Sequence, residues 1–77
     1  MRPIKRSLTI AGHRTSVSLE APFWDALKEV AAAEGVTVTA LVARIDEARA
    51  AEGGEVSGLS GCVRIYILRF YRERRVQ

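Results

Sequence analysis

The chain has 77 residues, of which 48% are hydrophobic and 27% charged, and its net charge at pH 7 is +3. A chain of this length forms one small domain, residues 1–77, whose core is marginal unless close packing or oligomerisation stabilises it. The single cysteine, Cys62, excludes internal disulfides and paired-cysteine metal sites, and no apolar run approaches the roughly 20 residues of a membrane span. Because no apolar block follows the basic start as in a signal peptide, we expect a cytoplasmic protein without membrane contact.

Basic and acidic residues are segregated along the chain. Residues 1–19 contain four basic residues and no acidic ones, residues 20–56 contain three basic and eight acidic ones, and residues 57–77 contain five basic and one acidic. Two basic ends around an acidic middle favour an anionic partner that meets the ends. Solvated basic ends without a partner are the alternative that charge alone leaves open.

The first twenty residues alternate between apolar and polar side chains, which predicts a strand or a hairpin over about 4–20. Two strands would meet near Ala11-Gly12. The alternation is clearer in the second segment, whose β-branched and apolar residues share one face. The opposite, polar face of that segment carries Arg14, Ser16 and Ser18.

Three helices are predicted after the strands, over about 22–34, 37–50 and 58–74, with a polar, glycine-containing linker at 51–56. Pro22 lies near the first helical position of the first helix, and Gly35 supplies its stop signal. Thr37 is a good N-cap for the second helix. Ser57 or Ser60 would cap the third helix, which is apolar over a wide arc and ends in arginines.

The second strand needs a hydrogen-bonding partner, because backbone groups along a strand must be paired. The chain offers one neighbouring segment, 4–10, and the same strand of a second copy is the other candidate. Self-pairing would give a two-fold symmetric, intertwined dimer with two pairs of helices over the ribbon. The polar faces of both copies would then project together from a two-stranded ribbon, which fits the major groove of B-DNA.

Three stretches in this order carry a resemblance to a known family: His13-Arg14-Thr15-Ser16-Val17-Ser18-Leu19-Glu20, Phe23-Trp24-Asp25-Ala26-Leu27, and Glu34-Gly35-Val36-Thr37-Val38-Thr39-Ala40-Leu41-Val42. Together they resemble the ribbon-helix-helix superfamily, which includes Arc repressor, the methionine repressor and many antitoxins. The superfamily resemblance covers about residues 13–50. The Gly-His-Arg-Thr-Ser stretch, Phe-Trp and a third helix led by Leu-Ser resemble a short bacterial subfamily over nearly the whole chain.

The resemblance implies a mainly helical fold with a short N-terminal β-ribbon, an intertwined homodimer and an extra third helix. It also implies sequence-specific binding of duplex DNA by the ribbon in the major groove, as in transcriptional regulators and autorepressors. The implied base contacts are Arg14, Ser16 and Ser18; the expected phosphate contacts are Lys5 and Arg6 in a basic arm, with Thr37 and Thr39 at a helix start. The preceding strand leaves open which face of the ribbon is exposed.

Each of these residues also has a purely structural interpretation. The polar strand face is then solvated, Lys5 and Arg6 only protect a sheet edge, and Thr37 only caps its helix. His13 has no second ligand at useful spacing, and Cys62 lies on an apolar helix, so no metal or cofactor is predicted.

Catalysis is not predicted, because the sequence contains no phosphate-binding glycine loop and no nucleophile or metal-ligand motif. The alternative function is a protein-interaction module, like an antitoxin or an adaptor, that uses the third helix to dock a partner. The same helix enlarging the core is the other explanation of its wide apolar arc.

Overall fold

The computed structural model describes residues 1–51 and 58–75, which form a two-stranded antiparallel sheet followed by three helices. The strands are β1 (Ile4–Ile10) and β2 (His13–Leu19), and the helices are α1 (Ala21–Ala33), α2 (Val38–Ala51) and α3 (Leu59–Arg75). The predicted fold class is therefore confirmed: a mainly helical chain with a short N-terminal ribbon and an added third helix. The predicted linker lies outside the described residues except for its first residue, Ala51, which ends α2.

The two strands pair over the full length of both, from Ile4 opposite Leu19 to Ile10 opposite His13. β1 of the same chain is thus the partner of β2 on one edge. A second copy is not needed there, and the homodimer stays a prediction that concerns the other edge of β2.

A two-residue turn, Ala11-Gly12, closes the hairpin with φ angles of 52° and 81°. Positive φ at both central residues is typical of a type I′ turn, whose twist matches that of paired strands. Glycine adopts this conformation freely, whereas the Cβ of Ala11 carries a steric penalty of roughly 1–2 kcal/mol.

The junction of α1 and α2 follows local signals. Gly35 has a φ of 70°, and the N–H groups of Gly35 and Val36 donate to the carbonyls of the last turn of α1 at 3.1 and 3.0 Å. The Oγ1 of Thr37 then accepts a hydrogen bond from the N–H of Ala40 at 3.0 Å, which is the geometry of an N-cap. The predicted capping role of Thr37 is confirmed.

The hydrophobic core lies between one face of the hairpin and all three helices. Its buried residues are Ile10, Val17, Leu19, Trp24, Leu27, Val30, Ala31, Leu41, Val42, Ile45, Leu59, Val63 and Ile67. α3 packs against α1, α2 and β2 and contributes three of these residues. The third helix is therefore part of the core of the single chain.

Candidate nucleic-acid interface

The two faces of the hairpin differ in composition. The inner face contributes buried apolar residues to the core. Directly opposed residues of a sheet point to the same side. The register therefore places three pairs on the outer face: Lys5 with Ser18, Ser7 with Ser16, and Thr9 with Arg14. This outer face consists of two cations and four hydroxyl side chains, without a carboxylate.

The predicted base-contacting residues, Arg14, Ser16 and Ser18, lie together on the outer face, and Lys5 lies beside them. β1 does not cover the polar face of β2 but widens it. Five of the six outer-face residues are exposed and Ser18 is half-buried. Within residues 1–51 and 58–75, neither Lys5 nor Arg14 forms an ion pair. Their donors are available to an anion or, for the arginine, to the O6 and N7 of guanine.

Arg6 lies on the opposite side of the hairpin from Lys5 and Arg14, because it pairs with the buried Val17. Its guanidinium carbon lies 5.1 Å from the ring centroid of Trp24, a cation–π contact. The indole N–H of Trp24 in turn donates to the carbonyl of Ile4 at 2.9 Å. Arg6 thus packs against the edge of the core. Its phosphate contact remains a prediction, and Arg6 lies on the face of the hairpin opposite to that of Lys5 and Arg14.

Thr37 and Thr39 are exposed at the start of α2, separate from the outer face in sequence and in fold. No hydrogen bond joins them to the hairpin in the described part of the chain. The structure thus brings four of the seven predicted DNA-contacting residues onto one surface and places three elsewhere.

α3 contacts the free edge of β2 at Ser18. In a hairpin closed by a two-residue turn, His13 and every second residue after it bond to β1, so Arg14, Ser16 and Ser18 direct their backbone groups to the free edge. The N–H of Ser18 donates to the Oγ of Ser60 at 2.9 Å, and the Nη2 of Arg64 donates to its carbonyl at 3.1 Å. We call these two hydrogen bonds the α3 edge contact.

The expected capping role of Ser60 is wrong, because this residue lies inside α3 and binds a strand 42 residues away. Ser57, the other candidate cap, lies outside the described residues. Sequence reasoning did not single out Arg64 as a site residue. Its spacing of four from Ser60 places both on one face of a helix, but nothing local identifies their partner on β2.

Arg64 also binds Glu20, the residue that follows β2. Its Nε and Nη2 donate to the Oε1 of Glu20 at 3.1 and 2.9 Å. The backbone N–H of Glu20, followed by the Arg64 guanidinium, holds the pKa of this carboxyl below its ordinary value of 4.5. The ion pair fixes the guanidinium that reaches the edge of β2.

A groove of about 430 Å³ lies between α2 and α3, away from the hairpin's outer face. Its lining combines three arginines with apolar side chains: Arg44, Ile45, Ala48, Arg49, Cys62, Ile65, Tyr66 and Arg69. The carboxylate of Glu34 offsets part of the positive charge of these arginines. It accepts a hydrogen bond from Arg44 at 3.1 Å and one from the hydroxyl of Tyr66 at 2.7 Å. The hydrogen bond to the carboxylate raises the pKa of Tyr66.

Among the described residues, 1–51 and 58–75, no set of three or more His, Cys, Asp or Glu side chains is arranged to hold a metal ion. None of the three helices there combines the length and the apolar content that crossing a bilayer requires.

The hairpin and the two following helices define the class of ribbon-helix-helix proteins, here with an added third helix. A family model described as "Ribbon-helix-helix domain" matches residues 3–71, so the chain belongs to this family. Among curated proteins no significant match is found.

A solved structure, of an uncharacterized protein from Bordetella pertussis Tohama I, is similar to the chain with 38% sequence identity and a TM-score of 0.78. The similarity covers 95% of this chain and 58% of that chain. The chain therefore spans little more than half the length of this structural relative.

Proposed function

We propose that the protein binds duplex DNA sequence-specifically as a homodimer and acts as a bacterial, cytoplasmic transcriptional regulator, in the simplest case an autorepressor. The observation that carries this proposal is the outer face of the hairpin, where Lys5 and Arg14 lie among four hydroxyl groups without a carboxylate. Membership of the ribbon-helix-helix family supports the same function. The role is recognition without catalysis, metal or cofactor.

The width of a paired ribbon implies that β1 and β2 contact different parts of the DNA. Two copies that pair through β2 would form a four-stranded sheet with β2 strands in the centre and β1 strands outside. Its outer strands would lie about 14 Å apart, whereas the major groove is about 12 Å wide. Only the central strands enter the groove, so we infer that Arg14, Ser16 and Ser18 contact bases.

Phosphate contacts supply most of the affinity in this proposal. Lys5 lies on the outer strand, beside the groove wall, where it meets the DNA backbone. Arg6 contributes from the same strand if its side chain leaves Trp24. Thr37 and Thr39 offer hydroxyl and backbone donors at the start of α2, where the helix dipole also favours a phosphate.

The direct test is fluorescence anisotropy with the DNA upstream of the protein's own coding region and with a scrambled duplex, each at two salt concentrations. We expect tighter binding to the upstream duplex and a steep loss at high salt. Equal, weak binding to both duplexes would contradict sequence-specific recognition.

Arg14→Ala tests base reading within the same assay. We expect a loss of about 1–3 kcal/mol on the preferred duplex and a smaller loss on the scrambled one. Arg72→Ala is the matched control, because it removes the same charge from an exposed position on α3. An equal loss on both duplexes for Arg14→Ala would assign this residue to the phosphates.

The second candidate function is a protein-interaction module that uses α3. Ile65 and Leu68 on this helix are 48% and 54% exposed, and Arg69 and Arg72 lie beside them, which favours a partner with apolar and acidic side chains. Ile65→Glu would abolish such a complex and leave DNA binding intact. Truncation before α3 is not a usable test, because the helix supplies Leu59, Val63 and Ile67 to the core.

A further inference from the structure

We propose that the α3 edge contact fixes the register in which two copies pair, so that the two-fold axis of the dimer passes at Thr15. This inference rests on the proposed homodimer and adds to it the residues that pair. Its basis is which backbone groups at the free edge of β2 already form hydrogen bonds. The N–H of Ser18 donates to Ser60, and its carbonyl accepts from Arg64. The backbone groups of Arg14 and Ser16 on the same edge have no further partner among the described residues.

The antiparallel self-pairing of β2 allows only a few registers. Arg14, Ser16 and Ser18 direct their backbone groups to the edge, so a residue that forms hydrogen bonds across the dimer must lie opposite an even-numbered position of the second copy. A register centred on Ser16 would place Arg14 opposite Ser18 of the second copy. A register centred on Val17 would place Ser16 opposite Ser18. Both need the backbone groups that α3 already holds.

The registers on the other side of Thr15 fail for different reasons. Centring on Arg14 would place two arginines directly opposite each other, which is destabilising. Centring on His13 would pair Arg14 with Gly12, whose φ of 81° belongs to the turn and not to an extended strand.

The remaining register is centred on Thr15 and pairs Arg14 of each copy with Ser16 of the other. It uses all four backbone groups that are left at these two residues and forms four hydrogen bonds across the axis. Neither arginine lies opposite a like charge. The unpaired N–H and C=O groups of Arg14 and Ser16 in one chain can therefore form hydrogen bonds with the same groups in a second copy.

The edge of β1 is the less suitable surface for a second copy. β1 carries Lys5 and Arg6 in succession, whereas Arg14 is the one arginine or lysine of β2. Two β1 strands would bring four cations together along one pair of strands, and charged residues are a common protection of exposed edges. The second copy thus pairs with β2.

This register arranges the surface that meets DNA. Arg14 and Ser16 of both copies form the centre of the outer face, and Ser18 lies towards its periphery beside α3. The second copy contributes half of this central group, so the site is incomplete in one chain. Base reading in the middle of the operator is then assigned to Arg14 and Ser16.

The register is tested by NMR on a mixture of isotope-labelled and unlabelled wild-type chains without DNA, recording only contacts between copies. In the Thr15 register, Thr15 lies opposite Thr15 of the second copy in a non-hydrogen-bonded pair, with Cα atoms about 4.5 Å apart. We expect a strong cross-peak between their Hα atoms. In the Ser16 register the corresponding cross-peak would join Thr15 to Val17 and would overturn the proposal.

Other outcomes are equally decisive. Cross-peaks between β1 strands, or a monomeric mass with no contact between copies, would overturn the assignment of β2 as the pairing edge. A Thr15-centred dimer that binds no duplex would leave this inference standing and would overturn the proposed DNA-binding function. The two conclusions can therefore fail separately.

The role of α3 is tested by the double variant Ser60→Ala/Arg64→Met, with Ser7→Ala as the matched control for loss of a hydroxyl. We expect the double variant to show the Thr15–Val17 cross-peak of the Ser16 register, in which Ser18 also pairs with the second copy. Ser7→Ala should retain the Thr15–Thr15 cross-peak. A double variant that keeps the wild-type register would contradict control by the α3 edge contact. The wild-type measurement decides the register itself, even where the double variant fails to fold.

Discussion

The inner and outer faces of one hairpin are formed by alternate residues of the same two strands, yet they differ in burial and in polarity. On the inner face Val17 and Leu19 are completely buried against the helices. On the outer face Ser7 and Ser16 lie opposite each other and are exposed. The comparison shows that the buried apolar residues and the exposed polar residues of a single element lie on its opposite faces.

This separation has a physical origin. In a strand, neighbouring side chains point in opposite directions, so one face can be apolar without restricting the other. Substitutions on the two faces should therefore affect different measurements: unfolding free energy for the inner face, DNA binding for the outer face.

Leu19→Ala should have the largest effect on stability. Leu19 is fully buried, and truncating a buried leucine removes apolar contacts and leaves a cavity, at a cost of about 2–5 kcal/mol. Urea denaturation measures this loss. Ser16→Ala on the outer face is the matched control and should change stability by no more than about 0.5 kcal/mol. Comparable losses in the two variants would show that the faces are not energetically separate.

Trp24→Phe should have the next largest effect, because it removes the indole N–H that binds the carbonyl of Ile4. With the smaller ring and the weaker contact to Arg6, we expect a loss of about 1–2 kcal/mol and faster hydrogen exchange at the start of β1. Tyr71→Phe is the control. It loses an exposed hydrogen bond to Glu29, so stability should change by less than about 0.5 kcal/mol. Equal effects would show that Trp24 does not anchor β1.

The elements that sequence predicts well are those set by local chemistry. Alternation of side chains over 14–19 predicts both the strand and the composition of its two faces, since parity along a strand needs no knowledge of the rest of the fold. Gly35 and Thr37 likewise mark the junction of α1 and α2, because their conformational and capping preferences act within one turn.

The features that sequence left open depend on distant residues. β1 and a second copy both satisfy the pairing requirement of β2, so composition alone does not choose between them. Ser60 has the side chain of a helix cap, and its actual partner, Ser18, is 42 residues away. In the sequence Arg64 is only a charged residue on an apolar helix, because its ion-pair partner, Glu20, is brought to it by the fold.

Ala11→Asn should stabilise the hairpin without altering either face. Ala11 has a φ of 52°, and asparagine tolerates this region better than alanine and is favoured before glycine in a type I′ turn. We expect a gain of about 0.5–1 kcal/mol in urea denaturation. Ala32→Asn, at an exposed helical position, should instead destabilise slightly because asparagine has the lower helix propensity. A loss of stability in Ala11→Asn would contradict the turn geometry.

The smallest predicted effect concerns the end of β2, where the two faces meet α3, and it depends on pH. The folded-state pKa of Glu20 is lowered, first by its backbone N–H and then by Arg64, so its ionised form stabilises the folded chain at neutral pH. That stabilisation is fully present above the unfolded pKa of about 4.5 and is lost as the pH falls through the lower folded value.

Glu20→Gln isolates this contribution from that of the other carboxylates. Glutamine cannot ionise, so the variant should be less stable than the wild type at pH 7, and the difference should shrink as the pH falls below about 4.5. Denaturation of both proteins across this range measures the difference directly. A difference that stays constant with pH would show that Glu20 holds Arg64 through its shape and not its charge, and the α3 edge contact would then persist in acid.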